Sequence, residues 1–137
     1  MTIIRKYNSL LPDYLDRFFG RDFDQWDQWT FRKPAVNILE RDDDYMIEVA
    51  APGYEKKDFT VKVHNDELTI SAKVQPQKLN GYIRKEFTYG DFKRTFTLDD
   101  TVDSDKIDAT YTNGVLYVSV PKKEEAKVKP PKAIEIK

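Results

Sequence analysis

The chain contains no cysteine, a single histidine and only five glycines, and each scarcity closes off a class of chemistry. Without cysteine there is no disulfide, no thiolate zinc site and no cysteine nucleophile. The one imidazole, His64, falls on the polar side of an alternating run beside Thr60 and Lys62, where an exposed bystander is the plain reading. The glycines are scattered, so none builds a phosphate-cradling loop. Neither sign of charge is in excess: 23 basic residues stand against 24 acidic ones, for a net charge of -1. No basic face for nucleic acid emerges from that balance. No segment approaches the ~18 apolar residues of a membrane span, and no apolar run follows a basic start as in a secretory signal. The acidic run Glu40, Asp42, Asp43 and Asp44 lacks the glycine and the twelfth-position glutamate of a calcium loop. The expectation is a cytoplasmic protein without cofactor, metal or catalytic constellation, and not an enzyme.

What is present divides into three zones. Residues 1–33 hold Tyr7, Tyr14, Phe18, Phe19, Phe23, Trp26, Trp29 and Phe31, which is 8 of the 18 aromatics. Leu11, Tyr14, Leu15, Phe18 and Phe19 recur at helical spacing between Pro12 and Gly20, predicting one short amphipathic helix. Asp22, Asp24, Gln25, Asp27 and Gln28 interleave the remaining aromatics. Aromatics diluted in this way do not make a compact core, so the zone reads as an adaptable interaction arm.

Residues 34–121 read as strands. Ala35 to Leu39 is a short first strand, and Tyr45, Ile47 and Val49 then alternate with Met46 and Glu48 up to Pro52-Gly53. Phe59, Val61 and Val63 alternate next, followed by the turn signal Asn65-Asp66 and by Leu68, Ile70 and Ala72. Phe92, Phe96 and Leu98 form a further run; Ile107, Ala109 and Tyr111 lead through Asn113-Gly114 into Leu116, Val118 and Val120. Asn-Gly between two alternating runs is the strongest short hairpin signal. Strands of period two without intervening helices predict an all-β, antiparallel immunoglobulin-like sandwich. Two features need more than a core. The connection from Lys73 to Asp91 is long for a compact domain, and its middle, Tyr82-Ile83-Arg84-Lys85-Glu86-Phe87, has strand-like content. Arg94 falls in register with Phe92 and Phe96, where a guanidinium is expensive unless carbonyls or a carboxylate receive its donors; it reads as a structural arginine pinning a neighbouring loop or chain.

The third zone, residues 122–137, is a tether rich in lysine and proline that ends in Ala133-Ile134-Glu135-Ile136-Lys137. Two aliphatics on one side of an extended strand, at the end of a polar leash, imply a receptor groove. From Val120 to Ile134 the leash reaches at most about 46 Å, at ~3.3 Å per residue.

Ala109-Thr110-Tyr111-Thr112-Asn113-Gly114-Val115-Leu116 resembles the A-x-x-x-N-G-V-L signature of the small heat-shock protein (α-crystallin) family, in its bacterial type. Val120-Pro121-Lys122, Ala51-Pro52-Gly53, the Phe92 to Leu98 strand and Ile134-Glu135-Ile136 are similar to its other motifs, in the same order. The family usually has proline after that leucine, whereas Asp99 stands here. The resemblance implies an ATP-independent holdase that binds unfolding client proteins through the aromatic arm. It implies a homodimer in which residues 82–87 pair with a partner's first strand at Val36, Asn37 and Ile38. It further implies a larger homo-oligomer in which Ile134 and Ile136 dock in a groove lined by Phe59, Val61, Val63, Ile107, Ala109 and Tyr111. Two other readings share the sandwich. A CS-domain-like co-chaperone adaptor for an ATP-driven chaperone would lack the long loop strand and the I-x-I tail. A carbohydrate-binding module would want exposed aromatics on a rigid sheet face.

Overall fold

The computed structural model describes residues 33–75, 80–88 and 90–137. The helix expected over Leu11 to Phe19 and the arm aromatics Tyr14, Phe18, Phe19, Phe23, Trp26, Trp29 and Phe31 lie outside the described residues.

Among the described residues seven strands form, in the order β1 Val36–Glu40, β2 Asp44–Ala50, β3 Phe59–His64, β4 Glu67–Ala72, β5 Phe92–Thr97, β6 Asp108–Thr112 and β7 Val115–Pro121. They make two antiparallel sheets, one ordered β1-β2-β7-β6 and the other β3-β4-β5. The alternation in the sequence decides which side of each strand turns inward. Tyr45, Ile47 and Val49 of β2, Leu68, Ile70 and Ala72 of β4, Phe92 and Phe96 of β5, and Leu116, Val118 and Val120 of β7 are all buried in one core between the sheets. Their polar neighbours face outward. The first strand starts at Val36, one residue later than the pattern suggested, although the Ala35 carbonyl still accepts from Ala50 N at 2.9 Å.

The β3–β4 and β6–β7 hairpins each close through two residues in the left-handed region, the geometry whose twist matches the flanking strands. Asn65 and Asp66 have φ of 47° and 60°, and Asn113 and Gly114 have φ of 51° and 77°. Glycine is needed at 114 for a second reason: a Cβ there would meet Pro52 Cα and Cβ at 3.3 Å. The same approach lets the Gly114 carbonyl accept from Ala51 N at 2.9 Å, which ties the Ala-Pro-Gly turn to the Asn-Gly hairpin. Asp99, standing where proline was the expected residue, caps its own turn: its carboxylate accepts from Thr101 N at 2.8 Å and also from the Thr101 hydroxyl. An Asx turn therefore does there what a fixed φ would do.

One expectation is corrected at the end of β7. Lys122 was expected in the solvated tail, yet it is 7% exposed, bridged to Val102 and bonded through its N–H to the Asp43 carbonyl at 2.9 Å. The ordered fold therefore continues past Pro121. Residues 124–126 form a single 3-10 turn, and no regular structure follows.

Candidate functional site

A two-sheet sandwich has open sides where the outermost strands of the two sheets face each other, and here those sides carry the residues singled out in the sequence. Among the described residues β3 pairs only with β4, and β6 only with β7, so each presents a row of backbone groups with no ladder partner there. The side between them is the one expected to form the groove, and apolar residues line it. Phe59 and Val61 of β3, with Ile107, Ala109 and Tyr111 in and beside β6, pack partly buried against the core. Val63 lies at the more open end, 38% exposed. At the other end rings meet: Phe59 and Tyr111 lie 4.7 Å apart, tilted at 48°, and Tyr54 lies 5.6 Å from both Phe59 and Phe92. Tyr111 donates its hydroxyl to the Ala51 carbonyl at 2.6 Å, which fixes its ring beside Phe59.

The opposite side is formed by β1 and β5. Among the described residues β1 pairs only with β2, so Val36, Asn37 and Ile38 stand on an edge whose outer backbone groups have no ladder partner there. Val36 and Ile38 turn partly buried side chains toward the core. Arg94 pairs with Ile70 in the sheet, is half-buried, and reaches across the sandwich to donate to the Pro34 carbonyl at 3.4 Å. Its guanidinium lies 6.0 Å from the Phe96 ring centre. The arginine thus links the strand entering the first sheet to the edge of the second.

Tyr82, Ile83 and Phe87 of the long connection are 54%, 105% and 72% exposed, and no residue of 80–88 lies in a strand. The base of this connection is nevertheless held. Val74 N donates to the Asp91 carboxylate at 2.9 Å, and the Tyr54 hydroxyl donates to the Gly90 carbonyl at 2.7 Å. Burial pushes the Tyr54 hydroxyl up from its ordinary pKa, so it is a neutral donor at physiological pH. Sequence reasoning passed over Tyr54 and Asp91, and only the contacts across the fold reveal them. At the tail, Ile134 and Ile136 are 86% and 95% exposed.

At the sandwich end where β1 turns into β2, Arg41 donates to Asp44, and Ser119 donates its hydroxyl to the same carboxylate at 2.9 Å. The Arg41 guanidinium, with help from Ser119, holds the Asp44 carboxyl below its ordinary value. Lys122 Nζ lies 3.0 Å from Glu40 Oε1 and 4.9 Å from the centre of the Tyr45 ring. The motif Val120-Pro121-Lys122 was the available signal for this lysine. Its position in a lysine-rich stretch hid it.

The described residues contain no group of three His, Asp or Glu side chains able to hold a metal. No helix among them is long and apolar enough to cross a membrane. His64 is exposed beside Asn65, 3.1 Å from its side-chain amide.

Edge strands around a seven-stranded sandwich, an Ala-Pro-Gly turn locked to an Asn-Gly hairpin and a two-isoleucine tail all fall in residues matched by the model of the Hsp20/alpha crystallin family, which covers 37–137. The chain belongs to that family. Relatives extend the likeness into the N-terminal residues. The chain is 34% identical over 135 residues to the 18 kDa heat shock protein of Clostridium acetobutylicum, covering 90% of this chain and 89% of that one. It is 30% identical over 135 residues to small heat shock protein C2 of Rickettsia felis, covering 91% and 86%. Among solved structures, heat shock protein 16.0 of Schizosaccharomyces pombe matches with a TM-score of 0.61 at 33% identity, over 75% of this chain and 98% of that one. A small heat-shock protein of Xylella fastidiosa matches with a TM-score of 0.63 at 28% identity, over 81% and 99%. The sandwich is an α-crystallin domain, and the family is one of stress chaperones.

Proposed function

We propose that this chain is an ATP-independent holdase, which assembles through its own edges and tail and binds partly unfolded proteins to keep them from aggregating. One observation supports the reading: the chain leaves apolar side chains exposed on its tail and long connection as well as along its sandwich edges. Apolar side chains line the side between β3 and β6, which we take as the receiving cleft, while Ile134 and Ile136 stand 86% and 95% exposed near the end of the tail. Likewise β1 has an open edge, while Tyr82, Ile83 and Phe87 stand exposed on a connection pinned at its base. An apolar side chain left in water is unfavourable, so such complementary pairs favour association of copies. In the assembly, residues 82–87 pair with a partner's Val36, Asn37 and Ile38, and the tail enters a neighbouring dimer's cleft. A closed set of such contacts also accounts for clients: the aromatic arm of residues 1–33 meets unfolded chains when weak links open.

The test is light scattering of a heat-labile enzyme with and without the purified protein, in buffer free of nucleotide. Protection of the enzyme without ATP is the expected result. Protection that appears only with ATP refutes the mechanism. A protein that stays monomeric in size-exclusion chromatography with light scattering favours the adaptor reading instead.

A further inference from the structure

The tail does not begin where the last strand ends. After Pro121 the backbone stays bonded to the sandwich: Asp103 N donates to the Pro121 carbonyl at 2.8 Å, Lys122 N to that of Asp43 at 2.9 Å, and Lys123 N to that of Thr101 at 2.7 Å. Within the same stretch, Ala126 N donates to the Lys123 carbonyl at 2.9 Å. Lys127 Nζ meets Glu124 Oε1 at 2.6 Å, and Ala126 and Lys127 are half-buried where Val128 is 66% exposed. Lys122 is the centre of this arrangement. An ammonium that is 7% exposed needs a counter-charge, and it finds Glu40 at 3.0 Å across the sheet, with the face of Tyr45 beneath it. Asp44 feels the same positive charge.

We propose that Lys122 and Glu40 form a clamp that holds residues 122–127 on the sandwich, so that the working leash of the tail is residues 128–133 alone. This rests on the reading that Ile134 and Ile136 link dimers. Counting from Lys127 to Ile134, the reach falls from about 46 Å to about 23 Å, at ~3.3 Å per residue. A receiving cleft must then lie close to the corner made by the β1–β2 turn and the Thr101 to Asp103 loop. Opening the clamp roughly doubles the leash. Effective concentration falls as about the 3/2 power of leash length, so each tail would rebind about threefold less well.

The experiment compares Lys122→Met, which keeps an apolar stem over Tyr45 but removes the charge, with Lys122→Arg, which keeps the charge. A third variant carries a Gly-Ser insertion of about seven residues after Val128, which lengthens the leash while leaving the clamp intact. Subunit exchange is followed by fluorescence transfer between labelled assemblies, and the start of the mobile tail by the narrow proton signals of the full-length protein. Exchange about threefold faster is expected for Lys122→Met and for the insertion, with Lys122→Arg exchanging like the parent. Narrow signals should begin after Lys127 in the parent and before it in Lys122→Met. Parental exchange in Lys122→Met, with residues 122–127 still broadened, overturns the clamp. Should Lys122→Met fail to fold, the insertion and Glu40→Gln decide by the same readouts, and parental exchange in both overturns the proposal. The linker reading fails separately, if assemblies lacking both isoleucines keep the parent's mass.

Discussion

The rings of Phe59 and Tyr111 sit 4.7 Å apart, centroid to centroid, although one belongs to the sheet of β3 and the other to the sheet of β6. This pair joins the two sheets at their open side and would close one end of the proposed cleft. Val61, two residues along from Phe59 on the same face, is half-buried in its wall. Val61→Lys should leave the sandwich folded, because the lysine stem lies along the apolar wall while its ammonium stays in solvent. A tail entering that groove would have to desolvate the charge. The expected outcome is a native circular dichroism spectrum with an assembly reduced to dimers by light scattering.

Gly114→Ala should lower stability without touching assembly. The position has φ of 77° and a new Cβ would press on Pro52 at 3.3 Å. A non-glycine residue held in such a conformation costs about 1–3 kcal/mol. At 4–8 °C per kcal/mol for a domain of roughly 100 residues, a fall of several degrees in Tm is expected. Calorimetry of the full chain measures it, and an unchanged Tm would mean that the turn relaxes away from Pro52.

Asp44 gives the protein a defined acid limb. Its folded pKa lies below the ordinary value because the ionised carboxylate accepts from Arg41 and Ser119. A group depressed on folding contributes stability that is fully present above its unfolded pKa of about 3.9 and is lost as pH falls through the lower folded value. Asp44→Asn should therefore cost most at neutral pH, and the gap from the parent should close from roughly pH 5 downward. Urea unfolding at a series of pH values tests this, and a gap independent of pH would remove the carboxylate from the account.

The parts of the fold legible in the sequence are those fixed by near neighbours. Side-chain alternation placed Tyr45, Ile47 and Val49 on the core side, and Asn65-Asp66 and Asn113-Gly114 marked their two hairpins because a type I′ turn demands those residue types. Partners chosen across the fold were not legible. Nothing in the local pattern says that β2 lies beside β7, with Ile47 opposite Val118. For the same reason Lys122 looked like one more solvated tail lysine, although Glu40 and Tyr45 come from more than seventy positions away to surround it. Tyr82 to Phe87 show a third case: their composition suits a strand, but a strand needs an edge to pair with, and within one chain they have no such ladder.

Replacing Lys78 to Thr88 with a short turn should give a folded monomer, if the proposed dimer uses this segment. The cut keeps Gly90 and Asp91, so the bonds from Tyr54 and Val74 that hold the base of the connection survive. What it removes is the exposed apolar segment proposed to ladder onto a partner's β1. Light scattering gives the mass and circular dichroism the fold. A shortened protein that remains dimeric would place the dimer contact on another surface.

The tail sets the last expectation, through the relation between a single weak contact and many. Ile134 and Ile136 are 86% and 95% exposed, and burying each fully contributes roughly 1.5–3 kcal/mol. Ordering the end of a flexible chain cancels a fair part of that gain. One tail in one cleft should thus bind near the millimolar range, which corresponds to about 4 kcal/mol. Several such links closing one assembly act at high effective concentration, so the whole is stable while every link stays labile. Warming or dilution should then release dimers without unfolding the sandwich, whose core includes neither Ile134 nor Ile136. Ile134→Ser with Ile136→Ser should accordingly give folded dimers, with the larger assembly gone at concentrations where the parent is intact. Each single serine should fall between, shifting the concentration at which the assembly falls apart, because one aliphatic anchor remains. If the double variant keeps the parent's mass by light scattering, the arm of residues 1–33 must join the dimers in place of the tail.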